Sequence, residues 1–146
     1  AGWARIKQIK KEKGIENITY IGYIKRSEMK YLFHQVDFSV AMFAEDTLNN
    51  IYCASGKLYE SLFEGTPVLV SENPPLKRIC KDHGIGVSNN NLRDGIQEMS
   101  EHLELYKRNV TTYMNSIDYE SRVRLLTQQI TEFISEYQNG TINLDF

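Results

Sequence analysis

The sequence predicts an α/β fold in which a parallel sheet is flanked by helices. From Ile18 to Val87, short apolar runs alternate with segments whose apolar residues recur at helical spacing. The apolar runs are rich in β-branched and aromatic residues, which is typical of strands. The connections between them are long enough for the right-handed helical crossovers that parallel strands require.

The first segment predicts a helix followed by a short strand. Apolar residues recur on one face from Trp3 to Ile9, and Gly14 is placed to end the helix. The lysines of this helix are more typical of a solvated face than of a membrane or nucleic-acid patch. Residues 17–21 are β-branched and aromatic and predict a strand, with residues 22–24 as the loop at its carboxyl end.

The next segment predicts a helix and a buried strand. Ser27 is a natural N-cap, and the apolar residues from Met29 to Val36 follow the i, i+3, i+4, i+7 pattern of an amphipathic helix. Residues 38–43 are largely apolar, as in the buried strands of parallel sheets. A polar loop over residues 44–53 follows.

Residues 54–71 are the stretch around which the rest is organised. Residues 54–56 predict a turn of small residues, and residues 57–64 predict a two-turn helix that Gly65 ends. Pro67 fits only at the start of a strand, which residues 68–70 continue.

The turn before this helix has the chemistry of an anion site. Free amides and the helix dipole favour negative charge where a helix begins, and Lys57 adds a full positive charge there. Ser55, Gly56 and Lys57 are therefore candidates for binding a diphosphate, and Glu60, about one turn later, for facing the group that carries it. The residues alone are equally consistent with an ordinary surface pair between Lys57 and Glu60 and no ligand.

The remainder predicts further helices and one edge strand. Residues 74–83 predict a helix with proline in its first turn and Gly84 after its end, and residues 85–87 an edge strand. Helical spacing resumes at Leu92, breaks near residues 115–116, and continues in a long apolar stripe over residues 119–137. We expect this stripe to be mostly core, with part of it left for a partner domain.

Composition excludes several classes of protein. The chain has 146 residues, 17 Lys and Arg against 19 Asp and Glu, and a net charge of −2, which argues against nucleic-acid binding. Two cysteines and three scattered histidines predict neither a disulfide framework nor a metal site. The cysteine usage favours a reducing interior such as the cytoplasm, and no run of about 18 apolar residues predicts a membrane span.

The stretch from Ser55 to Val70 resembles the nucleotide-binding segment of group 1 glycosyltransferases of the two-Rossmann-domain (GT-B) type. Those mostly retaining enzymes carry a Lys-Leu-Tyr-Glu or similar segment followed by Gly-x-Pro-Val, as this chain does at Lys57 to Val68. The resemblance extends more loosely from Ile18 to Val87. One departure is Tyr52, at a position where many members carry a second glutamate near the donor sugar.

The resemblance implies a donor-binding, Rossmann-like domain over residues 3–138, the carboxyl-terminal half of a GT-B fold, with a tail over residues 139–146. It implies that amides at Ser55, Gly56 and Lys57 bind the diphosphate and that Glu60 holds the ribose hydroxyls. Gly22, Tyr23 and Ile24 would lie beside the base, although a plain strand-to-helix turn explains each of them as well. Glu45 or Asp46 is a weaker candidate for the donor sugar, because paired acids on loops are usually solvated.

The implied function is transfer of a hexose from a nucleoside diphosphate sugar to a glycan or lipid-linked acceptor in polysaccharide or glycoconjugate synthesis, without a metal or other cofactor. The first strand, with its Arg/Lys diphosphate pair, and the acceptor-binding lobe have no counterpart in the sequence. We therefore expect a cytoplasmic donor-binding fragment that is inactive in transfer alone, from a parent enzyme that is a candidate for the inner face of the membrane. Two alternatives stay open: a non-catalytic nucleotide- or protein-binding module of the same fold, and a receiver- or flavodoxin-like domain, although no candidate precedes Ile18 for the first strand whose end would carry a receiver's clustered acids.

Overall fold

The computed structural model describes residues 2–140 of the chain. The chain divides into two compact units, residues 1–32 and 33–146. A single donor-binding domain over residues 3–138 stays a prediction. Of the predicted tail, Asn139 and Gly140 form a turn, and residues 141–146 lie outside the described residues.

The first unit contains a helix but not the predicted strand. Helix α1 spans Gly2–Lys13, as expected, whereas residues 17–21 adopt no regular secondary structure. The strand prediction was therefore wrong. A β-branched run is stable as a strand only within a ladder, and here the segment is held by side chains instead. The Trp3 ring stacks on Tyr20 at 4.4 Å between centroids, and the Lys10 ammonium donates to the Ile18 carbonyl.

The predicted helix after Ser27 is shorter and begins differently. A single 3₁₀ turn, Arg26–Glu28, leads into α2, Met29–Phe33, whose last residue is the first of the second unit. Ser27 is not the N-cap. The Glu28 carboxylate accepts a hydrogen bond from the Lys25 amide at 3.2 Å and closes the turn instead.

The second unit has the predicted α/β architecture. Strands β1 (Ser39–Ala41), β2 (Val68–Val70) and β3 (Gly86–Ser88) form a parallel sheet in the order β1-β2-β3. Ser39 lies opposite Val68, and Val68 opposite Gly86. The parallel sheet is confirmed, although β1 is shorter than predicted and β3 is shifted by one residue.

Helices connect and flank these strands. The predicted helix after Pro74 and its stop at Gly84, in the left-handed conformation, are confirmed. The short helix preceded by the Thr47 cap was predicted as loop, and a break at His102 divides the helix predicted from Leu92. In chain order the helices are α3 (Leu48–Tyr52), α4 (Gly56–Phe63), α5 (Pro74–His83), α6 (Leu92–Glu101), α7 (Leu103–Ser116) and α8 (Tyr119–Gln138).

The central strand β2 packs against helices on both of its faces. Val68 and Val70 belong to a cluster that includes Leu58 and Leu62 of α4, together with residues of α5 and α7. Leu69 points to the other face, where it packs with Met99 of α6 and with part of α7. All three strand residues are fully buried, so β2 holds the helical layers together.

The connection from α4 to β2 is fixed by backbone conformation and polar contacts. Gly65 has a φ of +77°, a conformation that other residues rarely adopt, and so it ends α4 as predicted. The buried Ser61 hydroxyl donates to the Thr66 carbonyl at 2.9 Å, and the Thr66 hydroxyl donates to the Phe33 carbonyl at 3.0 Å. These bonds set where β2 enters the sheet.

The final helix α8 differs from its prediction. Its stripe was expected to be mostly core, but none of its 20 residues is buried. Helical spacing shows that a face is apolar but not what covers it.

The start of α8 is fixed by a cap and an aromatic contact. The Asp118 carboxylate caps α8 by accepting from the Ser121 amide at 3.0 Å, and this bond holds the pKa of Asp118 below its usual range. The Tyr119 ring lies 5.1 Å from that of Phe63.

We predict that Gly86→Ala lowers the free energy of unfolding by at least about 2 kcal/mol. A Cβ at Gly86 would overlap the backbone carbonyl of Val68 in the paired strand, which cannot move aside without breaking the sheet. Urea unfolding followed by circular dichroism measures the change. A Gly86→Ala protein as stable as the wild type would show that β2 and β3 do not approach this closely.

Candidate functional site

The beginning of α4 lies at the carboxyl edge of the parallel sheet. Strand β1 ends at Ala41, and the chain passes through residues 42–55 before α4 returns it to β2. Because β1 and β2 are parallel, the first turn of their crossover helix lies beyond the carboxyl end of β1. Ligands of α/β sheets bind at this edge. We refer to the first turn of α4 with its cap, residues 55–58, as the α4 mouth.

The cap of α4 leaves two backbone amides pointing out of the helix. Ser55 is buried, its hydroxyl accepts from the Leu58 amide at 3.4 Å, and its carbonyl accepts from Leu58 at 3.1 Å and Tyr59 at 3.4 Å. The amides of Gly56 and Lys57 lie in the first turn of α4, where no preceding helical turn supplies a carbonyl to accept their hydrogen bonds. Among the predicted diphosphate ligands, Gly56 and Lys57 therefore present outward-pointing amides, while the Ser55 hydroxyl stabilises the cap.

Neither the backbone conformation nor the packing of residues 2–140 explains the glycine at position 56. Its φ is not positive, and a Cβ built on it meets no atom within 4 Å outside its own helix turn and neighbours. Glycine is nevertheless a poor helix former. The space above Gly56 is open, and a ligand could approach the backbone there.

The charged side chains of the α4 mouth are placed by the buried side of the helix. Leu58 and Leu62 are almost completely buried and fix the rotation of α4 on the sheet. Lys57 is exposed, and Glu60 is partly buried. At i, i+3 spacing the two side chains lie on neighbouring positions of the helix surface, so a cation and a carboxylate occupy the helix surface at and just after the mouth.

A network of buried polar side chains joins the loops at the same edge. The Ser71 hydroxyl accepts from the Phe43 amide at 3.0 Å and donates to the Asn73 side chain. The Asn73 side-chain amide donates to the Asn50 carbonyl at 2.8 Å and so ties the end of β2 to α3, just before the α4 mouth. Both Ser71 and Asn73 are buried. This role of Ser71 and Asn73 was not predicted; the signal for it in the sequence is Ser-x-Asn directly after an apolar strand.

The acidic residues of the loop before α3 are used in local contacts. The Glu45 carboxylate accepts from the Asn90 side chain at 3.3 Å, and the Asp46 carboxylate accepts from the Asn50 side chain at 2.6 Å. Asn90 also accepts from the Glu72 amide at 2.9 Å, which links this loop to the ends of β2 and β3. These bonds give both carboxylates a positioning role in the loops.

The three predicted base-side residues belong to the first unit. Gly22 has a φ of +73°, the Tyr23 side chain is 90% exposed, and Ile24 is partly buried. Their expected position after a strand was wrong, because residues 17–21 form no strand. Contact of these residues with a base stays a prediction.

A pocket of about 350 Å³ lies beside the edge strand β3, and several of its polar side chains are already paired. The Tyr106 hydroxyl donates to Glu98 at 3.2 Å, and Lys77 pairs with Glu72 at 2.5 Å. Burial raises the pKa of the Cys80 thiol to about 12, and burial together with Glu98 raises the pKa of Tyr106 to about 12. These groups stay protonated at neutral pH and suit packing better than nucleophilic chemistry.

Comparisons of the chain with protein-family models, with curated proteins and with solved structures found no match. Within residues 2–140, no group of three or more His, Cys, Asp or Glu side chains is arranged to hold a metal ion. Over the same residues, no helix combines the length and the apolar character needed to cross a bilayer.

We predict that Gly56→Ala leaves the free energy of unfolding unchanged or raises it by up to about 1 kcal/mol, because alanine favours a helix over glycine. The added methyl group meets open space. Urea unfolding of the wild type, Gly56→Ala and Gly86→Ala gives the three free energies of unfolding. A clear loss of stability in Gly56→Ala would contradict an open α4 mouth.

Proposed function

We propose that the α4 mouth binds the diphosphate of a nucleoside diphosphate sugar and that the chain is the donor-binding part of a glycosyltransferase. The observation that supports this most directly is the open helix start at the carboxyl edge of the sheet, with outward amides at Gly56 and Lys57 and room above Gly56. The resemblance of Lys57 to Val70 to group 1 glycosyltransferases supports the same ligand.

In the proposed reaction, the bond between the sugar C1 and the diphosphate oxygen breaks, and the diphosphate leaves with the bonding electrons. A hydroxyl oxygen of the acceptor forms the new bond to C1, and the hydroxyl proton is released to the diphosphate or to water. The amides of Gly56 and Lys57 and the Lys57 ammonium would stabilise the charge that builds on the leaving diphosphate. Glu60 would orient the ribose through its hydroxyl groups and would take no part in proton transfer. The acceptor, a glycan or a lipid-linked glycan, would be bound by another part of the enzyme, working in the cytoplasm or at the inner face of the membrane.

We predict that Lys57→Ala and Glu60→Ala weaken binding in different ways. Lys57→Ala should weaken both inorganic pyrophosphate and a nucleoside diphosphate about fivefold to tenfold, since an exposed charged contact contributes about 1 kcal/mol. Glu60→Ala should weaken only the nucleoside diphosphate, because pyrophosphate lacks the ribose. Calorimetric titration at low salt with pyrophosphate, UDP, GDP and ADP measures these constants.

The control is Lys81→Ala, which removes another exposed lysine, on α5. It should bind every ligand as the wild type does. Equal losses in Lys57→Ala and Lys81→Ala would show that binding follows net charge alone. Unchanged binding in both Lys57→Ala and Glu60→Ala would refute the placement of the ligand.

We also predict that Gly56→Leu abolishes binding of pyrophosphate and of the nucleotides while the protein stays folded. The leucine side chain would extend into the space that the phosphates need, and its Cβ meets no atom within 4 Å outside its own helix turn and chain neighbours. Titration and circular dichroism on the same sample separate the two effects. Full binding by Gly56→Leu would place the diphosphate elsewhere.

A further inference from the structure

Helix α8 carries an apolar stripe that no part of the described chain buries. None of its 20 residues is buried. The stripe residues are between 39% and 62% exposed. We call the stripe the α8 seam; its residues are Tyr119, Val123, Leu126, Ile130, Phe133 and Tyr137. An exposed apolar surface of this length marks an interaction site.

The spacing of the seam is that of a coiled coil. Its residues follow one another in alternating steps of four and three, the heptad pattern that keeps them on one line along a supercoiled helix. The middle of the seam consists of Val123, Leu126 and Ile130, without a charged residue. This pattern calls for another helix as the partner.

The charges beside the seam fit a second copy of the same helix running in the opposite direction. When two α8 helices pair antiparallel about their midpoint, Val123 lies against Phe133 of the other copy and Leu126 against Ile130. In this register Arg122 faces Glu136 of the other copy, and the two-fold symmetry forms this ion pair twice. In a parallel pair, Arg122 would face an uncharged Thr127 instead.

We propose that α8 joins two copies of this chain as an antiparallel, two-fold symmetric helix pair. The register places Tyr137 of one copy against Tyr119 of the other. Tyr119 already packs on Phe63 of α4, whose side chain is 61% exposed. The contact therefore continues from α8 onto the globular part of the chain, and it is independent of nucleotide binding.

The first test is the mass in solution, measured by sedimentation equilibrium over a wide range of protein concentration. We expect the wild type to approach twice the monomer mass of 16.9 kDa as the concentration rises. Ile130→Glu should raise the dissociation constant at least about a hundredfold, because each dimer would bury two unpaired carboxylates. The control Leu125→Glu changes a residue that is 56% exposed but lies off the seam, and it should dimerise as the wild type does.

The second test is a charge reversal that reports the direction of the pair. Glu136→Arg should weaken the dimer about tenfold by placing two arginines face to face, and adding Arg122→Glu should restore it. Within a single helix, Glu136→Arg replaces the i, i+4 repulsion between Glu132 and Glu136 with an attraction. A weaker dimer would therefore not result from a less stable helix. Circular dichroism of each variant confirms that α8 is retained.

Three outcomes would overturn the proposal. The first is a monomer at every concentration, as expected if another domain covers the seam. The second is a dimer that is unaffected by Ile130→Glu. The third is a dimer that Glu136→Arg does not weaken, which would exclude the antiparallel register. Pyrophosphate binding by Ile130→Glu should equal that of the wild type, which separates this proposal from the one for the α4 mouth.

Discussion

The close parallel pairing of β2 with β3 is the constraint on which the second unit depends. Strand β2 is fully buried, and its neighbour approaches so closely that Gly86 has no room for a side chain against the Val68 carbonyl. The alternating side chains of β2 then meet α4, α5 and α7 on one face and α6 with part of α7 on the other. A change in this register would move the helices of both layers at once.

The same strand organises the polar edge where the candidate site lies. After Val70, the buried Ser71 and Asn73 reach the loop after β1 and the middle of α3. The position of the α4 mouth is thus set from two sides. Leu58 and Leu62 anchor the helix by packing, and the hydrogen-bonded loops fix the chain that enters it. Preorganised amides bind an anion more effectively than mobile ones, because no ordering is needed when the ligand arrives.

The sequence predicted well those parts whose signals are local. The left-handed stop at Gly65, the proline-initiated start of α5 and the buried strand at 68–70 each follow from a conformational preference of the residues involved. The prediction of a strand at residues 17–21 was wrong because β propensity describes how well a segment fits against a neighbouring strand, and the sequence does not show whether that strand is present. The prediction that the α8 stripe is mostly core was wrong for a related reason, because amphipathic spacing identifies an apolar face but not the surface that covers it.

Three glycines show how far the candidate site could be predicted. Gly65 is explained by a positive φ and Gly86 by the close approach of a neighbouring backbone, and both reasons lie within the chain. Gly56 has neither a positive φ nor a neighbouring backbone close by, although an alanine there would favour the helix. Among the described residues no atom lies close enough to explain a small residue at this position, and the space above the helix start is open to a ligand. Outward amides and a lysine surround that point, so an anion is the kind of ligand that would make use of the missing side chain.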